Sequence, residues 1–186
     1  MLVVASLLLL GWCVQLALAL RIRAAVPTVA SLPAPPARTA WPKLSVVVPA
    51  RDEALHVEAA LRSKLACGYP SLEVVAVDDR SRDATGRILD RVAADDPRVT
   101  AVHLTELPAG WLGKLNAMAQ GAARASGEWL LFSDADVHVE PGVLEKLIAW
   151  AEAGGVAFVA VFPRMRPATP AVDAALACLL RVLAIA

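Results

Sequence analysis

Three regimes of hydrophobic patterning follow one another along the chain. Residues 1–20 are apolar at almost every position, interrupted only by mild residues such as Ser6, Gly11 and Gln15. At about 1.5 Å per residue a helix of that length just crosses a hydrocarbon core of about 30 Å, so the run predicts an N-terminal transmembrane anchor. Residues 21–42 carry Pro27, Pro33, Pro35, Pro36 and Pro42, the pattern of an extended linker. From Leu44 onward, short β-branched runs alternate with longer amphipathic stretches. That alternation predicts βαβ units around a mostly parallel, largely buried sheet, spanning residues 43–167.

Within this domain the first strand is expected over 44–48 and ended by Pro49, with Asp52 capping a helix that buries Val57, Leu61 and Leu65. A second strand over 72–77 runs into Asp78-Asp79-Arg80-Ser81-Arg82-Asp83, and a helix with Ile88, Leu89 and Val92 inward follows. Residues 99–104 read as a third strand and 115–125 as a small-residue helix. Residues 129–132 read as a fourth strand that leads into Ser133-Asp134-Ala135-Asp136. Pro141 is placed to start another helix, Gly154-Gly155 to end it, and 156–162 to form a fifth strand. The segment 168–186 is apolar but broken by Asp173 and Arg181, which predicts a core or interfacial helix.

Charge adds orientation and excludes one class. Arg21, Arg23, Arg38 and Lys43 follow the apolar run and nothing charged precedes it, which places the domain in the cytoplasm behind a single-pass anchor. Ala17-Leu18-Ala19 resembles a signal-peptide cleavage site, but such peptides carry their basic residues before the apolar run. Eighteen basic and eighteen acidic residues leave no net charge and no basic footprint for nucleic acid. Cys13, Cys67 and Cys178 fit neither a disulfide framework nor a zinc site and read as reduced thiols.

The chemistry gathers at strand ends. Asp52 and Glu53, Asp78 and Asp79, and Asp134 and Asp136 each follow a strand, where open α/β sheets bind ligands. Asp134 and Asp136 alternate, so both carboxylates can face one side, and hard oxygen donors at that spacing suit Mg²⁺ or Mn²⁺ completed by water and phosphate. An isolated Asp-x-Asp is more often a solvated turn, but so many carboxylates in one crevice would repel without a cation or hydrogen-bond donors to compensate them. Of the histidines, only His138 lies near the acidic pair, and with no second histidine at ligand spacing it reads as structural; His56 reads as helix surface and His103 as a strand residue.

Four ordered blocks carry a resemblance. Val46-Val47-Val48-Pro49-Ala50-Arg51-Asp52-Glu53, then Val77 to Thr85, then Gly113-Lys114, then Gly127-Glu128-Trp129 to Asp136 resemble the motifs of family 2 glycosyltransferases, covering about residues 42–167. The resemblance implies a GT-A-type, Rossmann-like three-layer α/β sandwich preceded by the anchor, and an inverting enzyme that takes a nucleoside-diphosphate sugar, UDP-linked by expectation. It implies that Pro49, Ala50, Arg51, Glu53 and Asp78 surround the base and ribose, that Lys114 lies at the diphosphate, that Asp134 lies at the ribose or diphosphate, and that Asp136 holds Mg²⁺ or Mn²⁺. The segment from Glu106 to Lys114 is similar to one in hopanoid-associated and carotenoid-type membrane glycosyltransferases, which implies a lipid-like or polyprenyl-type acceptor.

Inverting transfer also needs a base for the acceptor hydroxyl. After Asp136 the carboxylates are Glu140, Glu145, Glu152 and Asp173, and the register of the first three gives no reason to aim them at the site. The family's Gln/Arg/Trp-type acceptor motif and later membrane helices have no match, so the base is expected beyond Ala186, with 168–186 opening that region and transfer by this chain alone in doubt. A non-catalytic membrane-tethered nucleotide-binding module and a metal-dependent nucleotidyltransferase are the rival readings.

Overall fold

The computed structural model describes residues 2–25 and 27–164, which divide into two compact units, residues 33–157 and a second that among the described residues comprises 2–25, 27–32 and 158–164. In the second unit, helix α1 runs over Leu2–Ala25. It ends before a short 3₁₀ turn at Val29–Ser31, capped by the Thr28 side chain. The apolar run is therefore helical, but the expected transmembrane anchor is not found: among the described residues no helix is long and apolar enough to cross a membrane. Ser6, Gly11 and Gln15 interrupt the run, and Arg21 lies inside the same helix. The expected helix over 168–186 lies outside the described residues.

Unit 33–157 is an open sheet of four parallel strands, β1 (Leu44–Ala50), β2 (Leu72–Asp79), β3 (Val99–Leu104) and β4 (Trp129–Phe132), in the order β3-β2-β1-β4. Helices α2 (Val57–Leu65), α3 (Thr85–Asp95) and α5 (Val143–Ala153) pack on one face, and α4 (Gly113–Ala122) on the other. The periodicity explains the layers. Val46, Val48, Val74 and Ala76 meet Val57, Leu61, Leu89, Val92 and Leu144 on the first face, whereas Val47, Val75 and Val77 meet Ala117 of α4 on the second. Both faces of β1 and β2 are covered, so their sequences are near-continuous apolar runs. A Cβ on Gly121 would sit 2.4 Å from Val47 Cγ1, so glycine there lets α4 lie close on the sheet.

Several boundaries differ from the sequence reading for local reasons. Pro49 does not end β1, which continues to Ala50 and pairs along β2. Val47 O accepts from Ser133 N and Leu44 N donates to Ser71 O, so odd positions of β1 face β4. The N–H that Pro49 lacks would point to the side where β4 has already ended. Asp52 caps no helix: α2 starts five residues later with His56 at its N-cap, and Asp52 turns back at φ 55°. Helix α4 begins at Gly113 rather than 115, and α5 at Val143 after Gly142 at φ 78° rather than at Pro141. The expected fifth strand over 156–162 is absent: these residues join no ladder among the described strands, and Phe158 and Phe162 are exposed. Residues 33–42 of the proline-rich stretch belong to the same unit as the sheet, with Arg38 stacked 4.2 Å over Trp41 and paired to Glu152 at 2.8 Å.

Candidate functional site

The segments after β1, β2 and β4 and the N-terminus of α4 enclose a cavity of about 370 Å³. Pro49, Ala50, Arg51 and Glu53 contribute from β1 and its loop, Asp79 from the tip of β2, Gly113 and Lys114 from α4, and Asp134, Ala135 and Asp136 from the loop after β4. Seven of the sequence-derived donor and metal candidates thus share one space: Pro49, Ala50, Arg51, Glu53, Lys114, Asp134 and Asp136. Asp78 is not among the lining residues.

The first two loops lock each other. Asp52 N donates to Ser81 Oγ at 3.0 Å, and Arg82 N to Asp52 Oδ1 at 2.7 Å. Glu53 N donates to Thr85 Oγ1 at 2.8 Å and Ala54 N to Asp83 Oδ2 at 3.1 Å. Hydrogen bonds from the Thr85 side chain, then from its backbone N–H, hold the Asp83 carboxyl below its usual range. Asp52 and Arg80, at φ 55° and 59°, are the non-glycine residues in the left-handed region among those described. Such conformations cost on the order of 1 kcal/mol each and persist where surrounding contacts impose them.

Asp78 and Asp79 face opposite sides of the sheet, as adjacent strand residues must. Asp79 points to the α4 side, where its carboxylate, 4% exposed, takes Arg80 Nε at 2.8 Å and Nη2 at 3.2 Å, with Arg51 Nη1 at 3.9 Å. A Cβ on Gly113 would lie 2.3 Å from Asp79 Oδ2, so glycine is what lets α4 begin against this pair. Asp78 points to the α3 side, with Ser81 N donating to Oδ1 at 3.0 Å and His103 Nδ1 3.3 Å from Oδ2. His103 stands in register with Asp78 on β3, and its Nε2 lies 2.8 Å from Asp90 Oδ1. The Asp90 contact, ahead of the Asp78 contact, raises the imidazole pKa above its ordinary value against the opposing effect of burial.

The third loop is tied to cations on two sides. Lys114 Nζ lies 2.5 Å from Asp134 Oδ1 at the exposed rim. Lys64 of α2, fully buried, donates to Asp134 O at 3.4 Å and more closely to Val137 O. Burial pushes the Lys64 pKa down to about 8, opposed by the charges of Asp136 and Asp134. The sequence reading missed this lysine, although its spacing of seven from Val57 and three from Leu61 puts it on the apolar stripe. Asp79 was placed among the converging carboxylates but given no role, and His103 was read as a strand residue; the signals were the strand alternation of the Asp pair and the register of β2 with β3. His138 and His56 are exposed.

Among the described residues no three His, Cys, Asp or Glu side chains are arranged to enclose a metal ion. The donor set still suits Mg²⁺ or Mn²⁺, which commonly take one or two carboxylates and fill the remaining positions with water and substrate phosphate. Lys114 occupies Asp134, whereas Asp136 is exposed and makes no hydrogen bond or ion pair with any described residue. Glu53, which also lines the cavity, likewise has no hydrogen bond or ion pair on its carboxylate, so these two carboxylates are the lining ones without a described partner.

A parallel α/β sheet whose strand tips open into a cavity of carboxylates and cations is the arrangement of open α/β proteins that bind ligands at strand ends, and the match of folds is of the GT-A type. The chain belongs to glycosyl transferase family 2, whose profile matches residues 45–173. It is 37% identical over 121 residues to the succinoglycan biosynthesis protein ExoO of Rhizobium meliloti, covering 65% of this chain and 33% of the relative. It is 32% identical over 113 residues to the GalNAc(5)-diNAcBac-PP-undecaprenol beta-1,3-glucosyltransferase of Campylobacter jejuni, covering 61% of this chain and 36% of that one. The chain thus spans about a third of the length of these relatives. Among solved structures, the mannosyltransferase PcManGT from Pyrobaculum calidifontis, in complex with GDP-Man and Mn²⁺, matches with TM-score 0.57 and 28% identity over 75% of this chain and 40% of that one. S. aureus TarS in complex with UDP-GlcNAc matches in fold, with TM-score 0.53 and 24% identity over 67% of this chain and 37% of that chain.

Proposed function

We propose that this chain forms the donor-binding part of an inverting glycosyltransferase that moves a sugar from a nucleoside-diphosphate sugar, UDP-linked, to a lipid or polyprenyl-type acceptor. The observation that carries the reading is the shared cavity in which Asp79, Asp134 and Asp136 from separate strand ends meet Arg51 and Lys114. In the reaction, the acceptor oxygen bonds to the anomeric carbon as the bond from that carbon to the diphosphate oxygen breaks. The nucleoside diphosphate departs and the acceptor proton passes to a base. Lys114 would stabilise the negative charge added to the diphosphate, and Asp136 would hold Mg²⁺ or Mn²⁺, which neutralises the same charge. Support for the acceptor class comes from the undecaprenol-linked and undecaprenyl-phosphate substrates in the names of two relatives. The likeness of the segment from Glu106 to Lys114 to hopanoid-associated and carotenoid-type enzymes points the same way.

The reading includes a membrane. Leu9, Leu10, Trp12, Val14, Leu16, Leu18 and Leu20 of α1 are all exposed, so the helix offers an apolar surface for association with lipid. Calorimetric titration of the full chain in detergent with UDP- and GDP-sugars, with and without Mn²⁺, tests the donor site. Mn²⁺-dependent binding that Asp136→Ala abolishes is expected, and binding indifferent to both would overturn the assignment. Release of nucleoside diphosphate rather than pyrophosphate, and co-sedimentation of the chain with lipid vesicles, are the matching expectations for reaction and location.

A further inference from the structure

Behind the loop of Asp134 and Asp136 lies a cation that the donor reading does not use. Lys64 has no exposed surface and no carboxylate within ion-pair distance among the described residues; its ammonium ends on two neutral carbonyls, those of Asp134 and Val137. An ammonium removed from water without an anionic partner is costly, and an apolar side chain would suit the stripe of Val57, Ala60 and Leu61 on which it stands. What the charge supplies here is geometry. The two carbonyls bracket Ala135 and Asp136, so one buried donor group joins both ends of the turn that presents Asp136 to the cavity. The adjacent Ser63 Oγ accepts from Val139 N at 3.2 Å, and Ala135 is itself packed into the core at 4% exposure. Helix α2 thus grips the loop at three successive points, while Lys114 holds the Asp134 carboxylate from the opposite side.

We propose that Lys64 is a positioning residue of the donor site: from beneath the cavity it fixes the loop of Asp134 and Asp136 in its binding shape before any divalent ion or diphosphate arrives. The proposal rests on the donor reading given above for its consequence, but not for its geometry. Without Lys64 the two carbonyls lose their shared donor, the turn opens toward water, and Asp136 must be ordered at the moment of binding.

The test uses the full chain in detergent, with UDP-GlcNAc plus Mn²⁺ and GDP-mannose plus Mn²⁺ as probes, and compares the parent with Lys64→Met and Lys64→Arg. In Lys64→Met, binding of whichever sugar nucleotide the parent takes is expected to weaken at least tenfold. Amide hydrogen exchange over 134–139 is expected to accelerate at least tenfold while the amides of β1 and β2 keep the parent's rates. Lys64→Arg, which retains a buried donor, should recover part of both. Parent-like exchange over 134–139 in Lys64→Met overturns the proposal, as does uniform acceleration across the sheet, which would make the lysine a general prop of the fold. Should Lys64→Met fail to fold, Lys64→Gln, with an amide able to reach one carbonyl, replaces it in both measurements, and the same results support or overturn the proposal. A parent that binds neither sugar nucleotide sinks the donor reading instead, and the exchange comparison, which needs no ligand, still decides the role of the lysine.

Discussion

Glu73 ties the end of the sheet remote from the cavity. Its Oε1 accepts from Ser126 N at 2.6 Å and from Ser45 Oγ, while Oε2 accepts from Ser126 Oγ at 2.8 Å and pairs with Lys43 Nζ at 2.7 Å. Gly127 N in turn donates to Ser45 Oγ at 2.7 Å, so one carboxylate joins β1, β2 and the turn between α4 and β4. Burial pushes its pKa up, and the bonds from Lys43, Ser126 and Ser45 more than offset this, bringing it from 4.5 down to about 2. At about 1.4 kcal/mol per pH unit, that drop corresponds to a ceiling of about 3 kcal/mol of stability. Because the folded value is depressed, this contribution is complete above pH 4.5 and drains away as the pH falls through about 2. Urea unfolding of the parent and Glu73→Gln at a series of pH values from 7 to 2 measures it. Glu73→Gln is expected to lose about 2–3 kcal/mol at pH 7, because the amide cannot satisfy the same donors. The two proteins should converge toward pH 2. Equal stability at pH 7, or parallel acid limbs, would refute the assignment of the network to Glu73.

Further outcomes follow at the cavity. Gly113→Ala places a Cβ 2.3 Å from Asp79 Oδ2 and 3.0 Å from Arg80 Nη2, so sugar-nucleotide affinity should fall about tenfold or more while the far-ultraviolet circular dichroism is retained. Lys114→Ala removes an ion pair whose partners are both more than half exposed, so urea stability should move by no more than about 0.5 kcal/mol. Donor affinity should nonetheless drop, with a shallower salt dependence than the parent's. His103, its pKa raised first by Asp90, contributes stability that is complete below the ordinary histidine value and is lost as pH rises through its raised one. In Asp90→Asn the imidazole should titrate at lower pH by NMR, and an unmoved titration would exclude the contact as its cause.

The strands were legible because burial on both faces leaves little alternative to uninterrupted β-branched runs, as in Val46-Val47-Val48 and Val74-Val75. What the pattern could not supply was partnership. Whether Pro49 ends a strand depends on which neighbour its missing N–H would have faced, and whether 156–162 forms a strand depends on an available ladder. The cavity was legible through the order of its acidic blocks, since each follows a strand and strand tips converge. Its finer assembly was not: Asp78 and Asp79 differ only in which face they take, and the register of β2 with β3 that brings His103 to Asp78 is a long-range pairing with no local signature. Lys64 was hidden for a different reason. A lysine on a helix is read as solvated by default, and only the loop lying over it turns that position into an interior one.

The two halves of the cavity are stabilised by different means, and that difference has a functional consequence. The loops after β1 and β2 hold each other chiefly through side-chain-to-backbone bonds at exposed positions, Asp52 with Arg82 and Ser81 and Asp83 with Ala54, with the buried Thr85 hydroxyl, which accepts from Glu53 N, as an anchor. Bonds of that kind exchange readily with water, so this wall can adjust to the ligand at little cost. The loop after β4 is instead anchored from inside the core by Lys64 and Ala135, where an alternative position would leave the buried Lys64 ammonium without its acceptors. Under the donor reading, a nucleoside end bound near Arg51 and Glu53 would meet the adaptable wall, and the diphosphate end the rigid one. Positioning of the bond that breaks then depends on the rigid side, so substitutions beneath Asp136 should lower turnover, whereas substitutions in the interlocked loops should alter chiefly how tightly nucleotides bind.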